Sequence, residues 1–429
     1  MEIHAKDTRH FDRLLAEGVK GLRLQFIEQG PRIDDLPQAR TDGWIGQGHG
    51  ARPARRQAPH QRPVDITQSE AGRAKGFSIG SVLGRGTTVE LMDPLQLCIP
   101  VSDRSQIGEV RRAISRMAET LALAPSRRGD AAIVATELAT NLVRHARDGR
   151  MLLQVISHGA SGWLELLSVD GGPGMTDVQR CLQDGFSTVG TPGNGLGAVK
   201  RQSDEFDVHS TPGKGTVIVS RIATSTAPSN VFTVGAVCLP FPGEEVCGDT
   251  WRSVEREQEI AVMVADGLGH GPEAAVAARL AGGAFEDEPF ATPEQFYQLA
   301  HRSLKGSRGA ALARAIIARS GDVQYSGIGN IAASLVSSER SRGLASENGT
   351  VGVQIRSHVS AYAHVMPAPG VLLMHSDGIT SRWSFDPYPG LLLRHPAVIA
   401  GVLSRDFVRG RDDATMLVVS RSRKGEGPV

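Results

Sequence analysis

The spacing of apolar positions divides the chain into three textures. From about residue 96 to 222, apolar residues recur with helical period over about 106–123 and about 129–147. Short apolar runs follow ("MLLQVIS", "WLELLSV", "GTVIVSRI"), which predict strands interrupted by a Gly-rich loop and a further helix. From about 231 to 421, short apolar strands alternate with acidic turns, and helical spacing returns over about 272–285 and 293–305. Residues 1–95 lack a steady period, and "GQGHGARPARRQAPHQRP" suits a loop better than a packed element. "ATSTAPSN" (223–230) predicts a linker, and 422–429 a tail. "RRAISRMAETLAL" is amphipathic, and its apolar stripe is expected to face a core rather than a membrane.

Composition changes little of this. With 429 residues, two or three domains are expected. A hydrophobic content of 40%, 22% charged residues and a net charge of +1 give no electrostatic case for nucleic acid or an anionic membrane. Cys98, Cys181, Cys238 and Cys247 have no paired spacing and read as reduced thiols, with Cys247 a small packed residue. No apolar run long enough to span a bilayer appears, so a cytoplasmic location is expected.

The first segment echoes the second. "GLRLQFIEQGPRIDDLPQARTDGW" resembles "GWLELLSVDGGPGMTDVQRCLQDGF", and "LGRGTTVELM" resembles "PGKGTVIVSRI". The step from Gly30 to Asp42 equals that from Gly172 to Asp184, but Arg32 stands where the second copy has Gly174. Residues 1–95 therefore read as a degenerate, incomplete half-repeat.

In "IVATELATNLVRHA", Glu137, Asn141 and His145 fall every fourth residue and share one stripe of an otherwise apolar helix. Alone, such a stripe is a solvated helix face, and His145 reads as a packed or capping residue. Three motifs downstream change the reading. "VDGGPGM" ends a strand with Asp170, whose carboxylate can accept the amine of adenine while Gly172 and Gly174 let backbone approach the base. "GNGLG" (Gly193, Gly195, Gly197) opens a helix whose N–H groups suit phosphates. Asn141 can offer an amide oxygen to Mg2+. In this order the motifs resemble the GHKL ATPase superfamily, specifically its small anti-sigma-factor serine kinases of the RsbT/RsbW kind. The resemblance implies a GHKL α/β sandwich over 96–222 that binds ATP, with Thr216 near the adenine, Asn141 holding Mg2+ and Glu137 as base on a substrate Ser or Thr.

In the third segment acids stand at strand ends: Asp249 in "VCGDTW", Asp266 in "VMVADGLGHG", Asp377 in "LLMHSDGIT", and Asp412 and Asp413 in "GRDDATMLVV". One Asp-Gly is a common turn. Four converging carboxylates would need cations, and oxygen-only ligands favour Mg2+ or Mn2+ over Zn2+. Two such ions about 4 Å apart can activate a shared water against a phosphoryl group. The order "GD…ADGLGHG…SDGI…RDDAT" resembles the PPM-type metal-dependent protein phosphatases of the SpoIIE/RsbX group. That resemblance implies an αββα sandwich over 231–421 in which Asp266 bridges two ions. It also implies that the Gly267 carbonyl binds one of them and that Asp249, Asp377 and Asp412 complete the shells. Asp413 is expected to orient its neighbour, and His270 is a candidate acid for the leaving oxygen.

Together these resemblances imply an α/β chain that works as a partner-switching regulator. Its kinase-like half would phosphorylate, and its phosphatase half dephosphorylate, a STAS-domain anti-anti-sigma or stressosome-type protein. The alternative is a phosphatase whose ATP domain senses nucleotide or binds a sigma factor. A homodimer is compatible with either.

Overall fold

The computed structural model describes residues 66–68, 77–79, 96–158, 161–183, 195–224, 231–356 and 358–421. The half-repeat expected over 1–95 lies outside these residues except for two short strands. These are β1 (Ile66–Gln68) and β2 (Phe77–Ile79), which pair antiparallel. Gly193 and Asp184 also lie outside them.

The first described domain is a five-stranded antiparallel sheet under two long helices. The strands are β3 (Leu97–Pro100), β4 (Arg150–His158), β5 (Ser161–Val169), β6 (Glu205–Thr211) and β7 (Gly215–Ala223), in spatial order β3-β4-β5-β7-β6. Helix α1 (Arg104–Thr120) starts on a capping box in which Asp103 and Gln106 satisfy each other's backbone N–H groups. Its buried stripe, Val110, Ala113, Ile114, Met117 and Ala118, faces the core as its amphipathic spacing predicts. Helix α2 (Pro125–His145) opens with Pro at its first turn, where the missing N–H costs nothing, and buries Val134, Leu138 and Leu142. A short α3 (Val178–Cys181) and α4 (Gly195–Gln202) complete this domain.

The second domain is a sandwich of two five-stranded antiparallel sheets. One runs β15-β12-β11-β10-β9 and the other β14-β13-β16-β17-β8. Strands β8 (Phe232–Leu239), β9 (Asp249–Arg256), β10 (Glu259–Gly267), β11 (Ala310–Ala318) and β12 (Asp322–Ile328) come first in the chain. They are followed by β13 (Ala332–Val336), β14 (Ser341–Leu344), β15 (Tyr362–Val365), β16 (Val371–His375) and β17 (Ala414–Arg421). The inner faces interdigitate through Ala236, Trp251, Val262, Ala313, Tyr325, Leu372 and Leu417. Helices α5 (Pro272–Asp287) and α6 (Pro293–Ser303) cover the outer face of the first sheet, burying Phe285, Phe296 and Tyr297.

The outer face of the second sheet is covered by a single helix, α7 (Pro396–Phe407), every residue of which is buried from Pro396 to Ser404. A helix apolar on all sides must be enclosed, and α7 is: one side packs on β8 and β17, the other on β5 and β7 of the first domain. Strands β4, β5 and β7 alternate accordingly. Met151, Leu153, Leu164, Leu166 and Ile218 face α1 and α2, while Leu152, Leu167, Val169, Val217 and Val219 face α7. On the α7 side sits a buried ion pair, Arg221 with Glu165 at 2.7 Å, and Arg221 also donates to the Val234 carbonyl across the domain boundary. Arg394 meets Asp207 at 3.2 Å at the half-exposed rim. Such a rim pair contributes about 0–1 kcal/mol, whereas each buried Val or Leu contributes about 1.5–3 kcal/mol, so apolar burial holds the boundary. Backbone packing is tight here: a Cβ on Gly235 of β8 would lie 1.9 Å from the Ala397 nitrogen. Gly235→Ala is therefore expected to destabilise the fold by about 1–3 kcal/mol, read as a lowered midpoint in thermal or urea unfolding of the full chain.

Among the described residues no helix is long and apolar enough to cross a membrane. All four cysteines are free, yet folding brings two that lack paired spacing together: Cys238 and Cys247 lie 3.3 Å apart, Sγ to Sγ.

Candidate functional sites

The nucleotide-site candidates meet around α2. Glu137 and Asn141 are half-buried on its stripe, and His145 is exposed in the last turn rather than packed. Helix α4 packs against α2, and the Glu137 Oε2 lies 3.8 Å from where a Cβ on Gly195 would stand. The acid of the helix and the start of the second Gly-rich motif are thus neighbours. Gly197 is buried in that contact.

Asp170 follows β5 directly. Its Oδ1 accepts the Gly172 N–H at 2.7 Å, and its own N–H donates to the Thr216 carbonyl at 3.0 Å. This pairing joins the adenine-side acid to the Thr expected beside it, because β5 and β7 run antiparallel with Val169 opposite Val217. Burial pushes the Asp170 carboxyl above the usual range, opposed by the Gly172 N–H and by the charge of Arg405. Thr216 shares a hydrogen bond with Ser210 at 2.8 Å, and Ser210 accepts the Met175 N–H at 2.7 Å, which pins the loop after Asp170 to the sheet. Gly174, with φ +70°, leaves no room for a side chain: a Cβ would lie 2.3 Å from the Thr211 carbonyl oxygen. A carboxylate at a glycine-lined turn beside Thr216, and a second carboxylate and an amide on the helix against which α4 packs, suit an adenine nucleotide with Mg2+. Asn141 would hold the ion and Asp170 the base.

In the second domain the acids come from neighbouring strand ends of both sheets. Asp249 opens β9 and stands directly opposite Asp266 on β10. Asp377 follows β16, and Asp412 and Asp413 precede β17, the strand paired with β16. Burial pushes the Asp266 carboxyl well above its ordinary range, and the charges of Asp249, Asp377, Asp412 and Asp413 push it further. Asp249 is raised too, by burial first and then by Asp413 and Asp412, against a hydrogen bond from Ser376. Among the described residues, no group of three or more His, Cys, Asp or Glu side chains stands close enough together to hold a metal ion as placed. The acids are electrostatic neighbours, and Mg2+ keeps several waters rather than demanding an all-protein cage.

The test of fit lies in orphaned oxygens. Asp249 Oδ1 and Asp413 Oδ2 are buried with no hydrogen-bond partner, a cost on the order of 1–3 kcal/mol or more each. A hard divalent cation would satisfy such oxygens directly, and the donor set is oxygen. Asp249, Asp266, Asp377 and Asp412 with the Gly267 carbonyl would hold it. When bound, it would polarise a phosphoryl oxygen and acidify a water. Asp413 is more buried than Asp412, whose Oδ1 accepts the Asp413 N–H at 3.0 Å. Asp413 also accepts the Phe241 N–H at 2.8 Å, and Phe241 stacks on the exposed His270 with ring centroids 4.3 Å apart. His270 in turn contacts Glu244 at 3.1 Å.

Three supporting residues had no sequence signal. Ser376 donates to Asp249 at 2.6 Å while accepting the Thr415 N–H at 2.9 Å, so it ties the two sheets beneath the acids. Asn330 donates its side-chain amide to Asp377 at 2.7 Å. Arg405, on α7, donates to the backbone carbonyl of Asp170 at 3.0 Å.

The folds and sites define a class: a GHKL-type ATPase domain joined to a PPM-type protein phosphatase domain. The comparisons with known proteins agree. Residues 100–221 match the family described as histidine kinase-like ATPase domain, and residues 256–422 match stage II sporulation protein E (SpoIIE). The serine/threonine-protein kinase RsbT of Bacillus subtilis (strain 168) is 31% identical over 123 residues, which are 29% of this chain and 92% of RsbT. Through this segment the chain belongs to the RsbT family, with a SpoIIE-type phosphatase domain fused after it. Among solved structures, the PP2C phosphatase domain of SpoIIE from Bacillus subtilis with a fragment of its regulatory domain is 16% identical. That match covers 75% of this chain and 97% of that one, at a TM-score of 0.40. RsbX in complex with magnesium is 18% identical, covering 46% and 98% respectively, at a TM-score of 0.39.

Proposed function

We propose that this chain is a cytoplasmic two-headed regulator of partner switching. Its first domain uses Mg2+ and ATP to phosphorylate a Ser or Thr of a STAS-domain protein, of the anti-anti-sigma or stressosome kind. Its second domain removes that phosphate with the help of Mn2+ or Mg2+. Glu137 takes the hydroxyl proton of the incoming residue, Asn141 holds the nucleotide's ion, and Asp170 reads the adenine. On the phosphatase side, Asp249, Asp266, Asp377 and Asp412 would hold the cation, whose charge would draw the substrate phosphate, and Ser376 and Asn330 hold Asp249 and Asp377 in place. A serine phosphate carries about −2 charge near pH 7 and can abolish an interface through repulsion and desolvation. Adding and removing it therefore switches the partner.

The observation that carries the phosphatase half of this reading is the orphaned, buried Oδ1 of Asp249, on the residue directly opposite Asp266, which a divalent cation would satisfy. The experiment is a single incubation of the chain with labelled ATP and candidate STAS proteins, with and without Mn2+. Label should appear on a STAS Ser or Thr and be released faster when Mn2+ is present. Release that is indifferent to chelator would contradict the phosphatase assignment.

A second reading makes the first domain a nucleotide sensor or a sigma-factor docking module for a chain that is only a phosphatase. The passage of α7 between the two domains favours it, since Arg405 of this helix meets the Asp170 carbonyl and the Phe407 carbonyl accepts the Thr380 N–H, three residues after Asp377. Absence of label on every candidate, with ATP binding intact, would select it.

A further inference from the structure

The wall of the nucleotide site is made partly by the other domain. Arg405 is nearly buried, at 7% side-chain exposure. Its Nε and Nη2 grip Asp406 at 2.8 and 2.6 Å, which aims the remaining Nη1 at the Asp170 carbonyl oxygen at 3.0 Å. That oxygen is otherwise walled in: a Cβ on Gly215 would stand 2.0 Å from it. The Tyr388 hydroxyl donates to the same Asp406, and Lys214, in the loop before Thr216, lies over the Tyr388 ring at 5.0 Å from its centroid. Both loops of the adenine side, 170–175 and 213–216, thus rest on groups of the phosphatase domain. A turn further on, the same helix end holds the acidic edge. The Thr380 N–H donates to the Phe407 carbonyl at 2.9 Å, and the Arg409 N–H to the Gly378 carbonyl at 2.8 Å, beside Asp377.

We propose that Arg405 is a positioning residue of the nucleotide site, supplied by the phosphatase domain, which fixes the Asp170 turn against adenine and ties nucleotide occupancy to the Asp377 loop. A charged donor on a buried carbonyl is among the stronger hydrogen bonds, and its geometry is set by the Asp406 fork rather than by the ATPase fold. Anything that shifts the Asp170 turn must displace the end of α7, and with it the backbone bonds at Gly378 and Thr380. The coupling is reciprocal by linkage.

The proposal rests on the reading of this pocket as an ATP site, and the test separates the two. Calorimetric titration of the full chain with Mg2+–ATP and Mg2+–GTP is paired with hydrogen exchange with and without ATP, Mg2+ held constant. Wild type should prefer ATP, and ATP should slow exchange at the amides of Thr380 and Arg409. In Arg405→Ala, ATP affinity should fall about tenfold, the preference over GTP should narrow, and the exchange response should vanish. Arg394→Ala removes another cross-domain arginine, which pairs with Asp207 rather than with Asp170, and should keep ATP affinity within about twofold. Equal ATP binding by Arg405→Ala overturns the proposal. So does an equal loss in Arg394→Ala, or exchange at Thr380 and Arg409 that ignores ATP in wild type. If Arg405→Ala does not fold, Asp406→Asn, which unhooks the guanidinium, is read in the same way. Wild type that binds no nucleotide removes the ATP-site reading instead.

Discussion

Asp266→Asn should lower hydrolysis of p-nitrophenyl phosphate on the order of 10³-fold while making the cation-free protein more stable. The two effects share one cause. Burial first, and then the charges of Asp249, Asp377, Asp412 and Asp413, disfavour ionisation of Asp266. Folding therefore favours the protonated form, and stability from this group is lost as pH rises through its raised folded-state pKa. At neutral pH the unfolded chain carries this carboxylate ionised, so folding must take up a proton or bury the charge; asparagine avoids both, and the melting temperature without added metal should rise by a few degrees. The same change removes a carboxylate that would hold the cation, which when bound would acidify a water and neutralise phosphate. Calorimetry and a steady-state assay on one preparation check both. An inactive variant that is also destabilised would instead indicate ordinary core damage.

Glu137→Ala should abolish phosphotransfer to the STAS substrate, with a loss of about 10²–10⁴-fold, and leave ATP affinity within a few-fold. Glu137 is half-buried on α2 and faces the start of α4 at Gly195. The adenine end, by contrast, is built from Asp170 and Thr216 on the sheet. The base and the binding groups thus sit on different elements, and one can be removed without the other. Single-turnover transfer and equilibrium ATP binding measure the two separately. Loss of both together would place Glu137 in nucleotide binding and end its assignment as a base.

Much of the architecture was legible because local signals agreed. The helix over Pro125–His145 was expected from about 129, and the start is earlier because Pro125 can occupy the first turn. The acidic edge was legible because each acid abuts an apolar run that can only be a strand, and the sandwich brings those ends side by side. The sequence order of the acids did not say how close their side chains stand, because that depends on the rotamers and loops after each strand. The largest gap was the domain boundary. Each domain could be read from its own motifs, and a linker at 223–230 suggested separable heads. Yet "PAVIAGVLSRDF" is apolar on every side, and "GTVIVSRIA" is buried along its whole length. Both are patterns of elements enclosed on two faces. Arg405, Asn330 and Ser376 were invisible because a lone polar residue carries no period; only the fold says what it touches.

The central claim is that the acids at the sandwich edge are a divalent-cation site. It is tested most directly by scanning calorimetry of the full chain titrated with Mn2+ in chelator-treated buffer. The account predicts that the melting temperature climbs with Mn2+, reaching about 2.7 kcal/mol of added stability at a hundred times the dissociation constant, and that Asp377→Asn blunts the rise. A melting temperature that ignores Mn2+ and Mg2+ at millimolar concentration would contradict it.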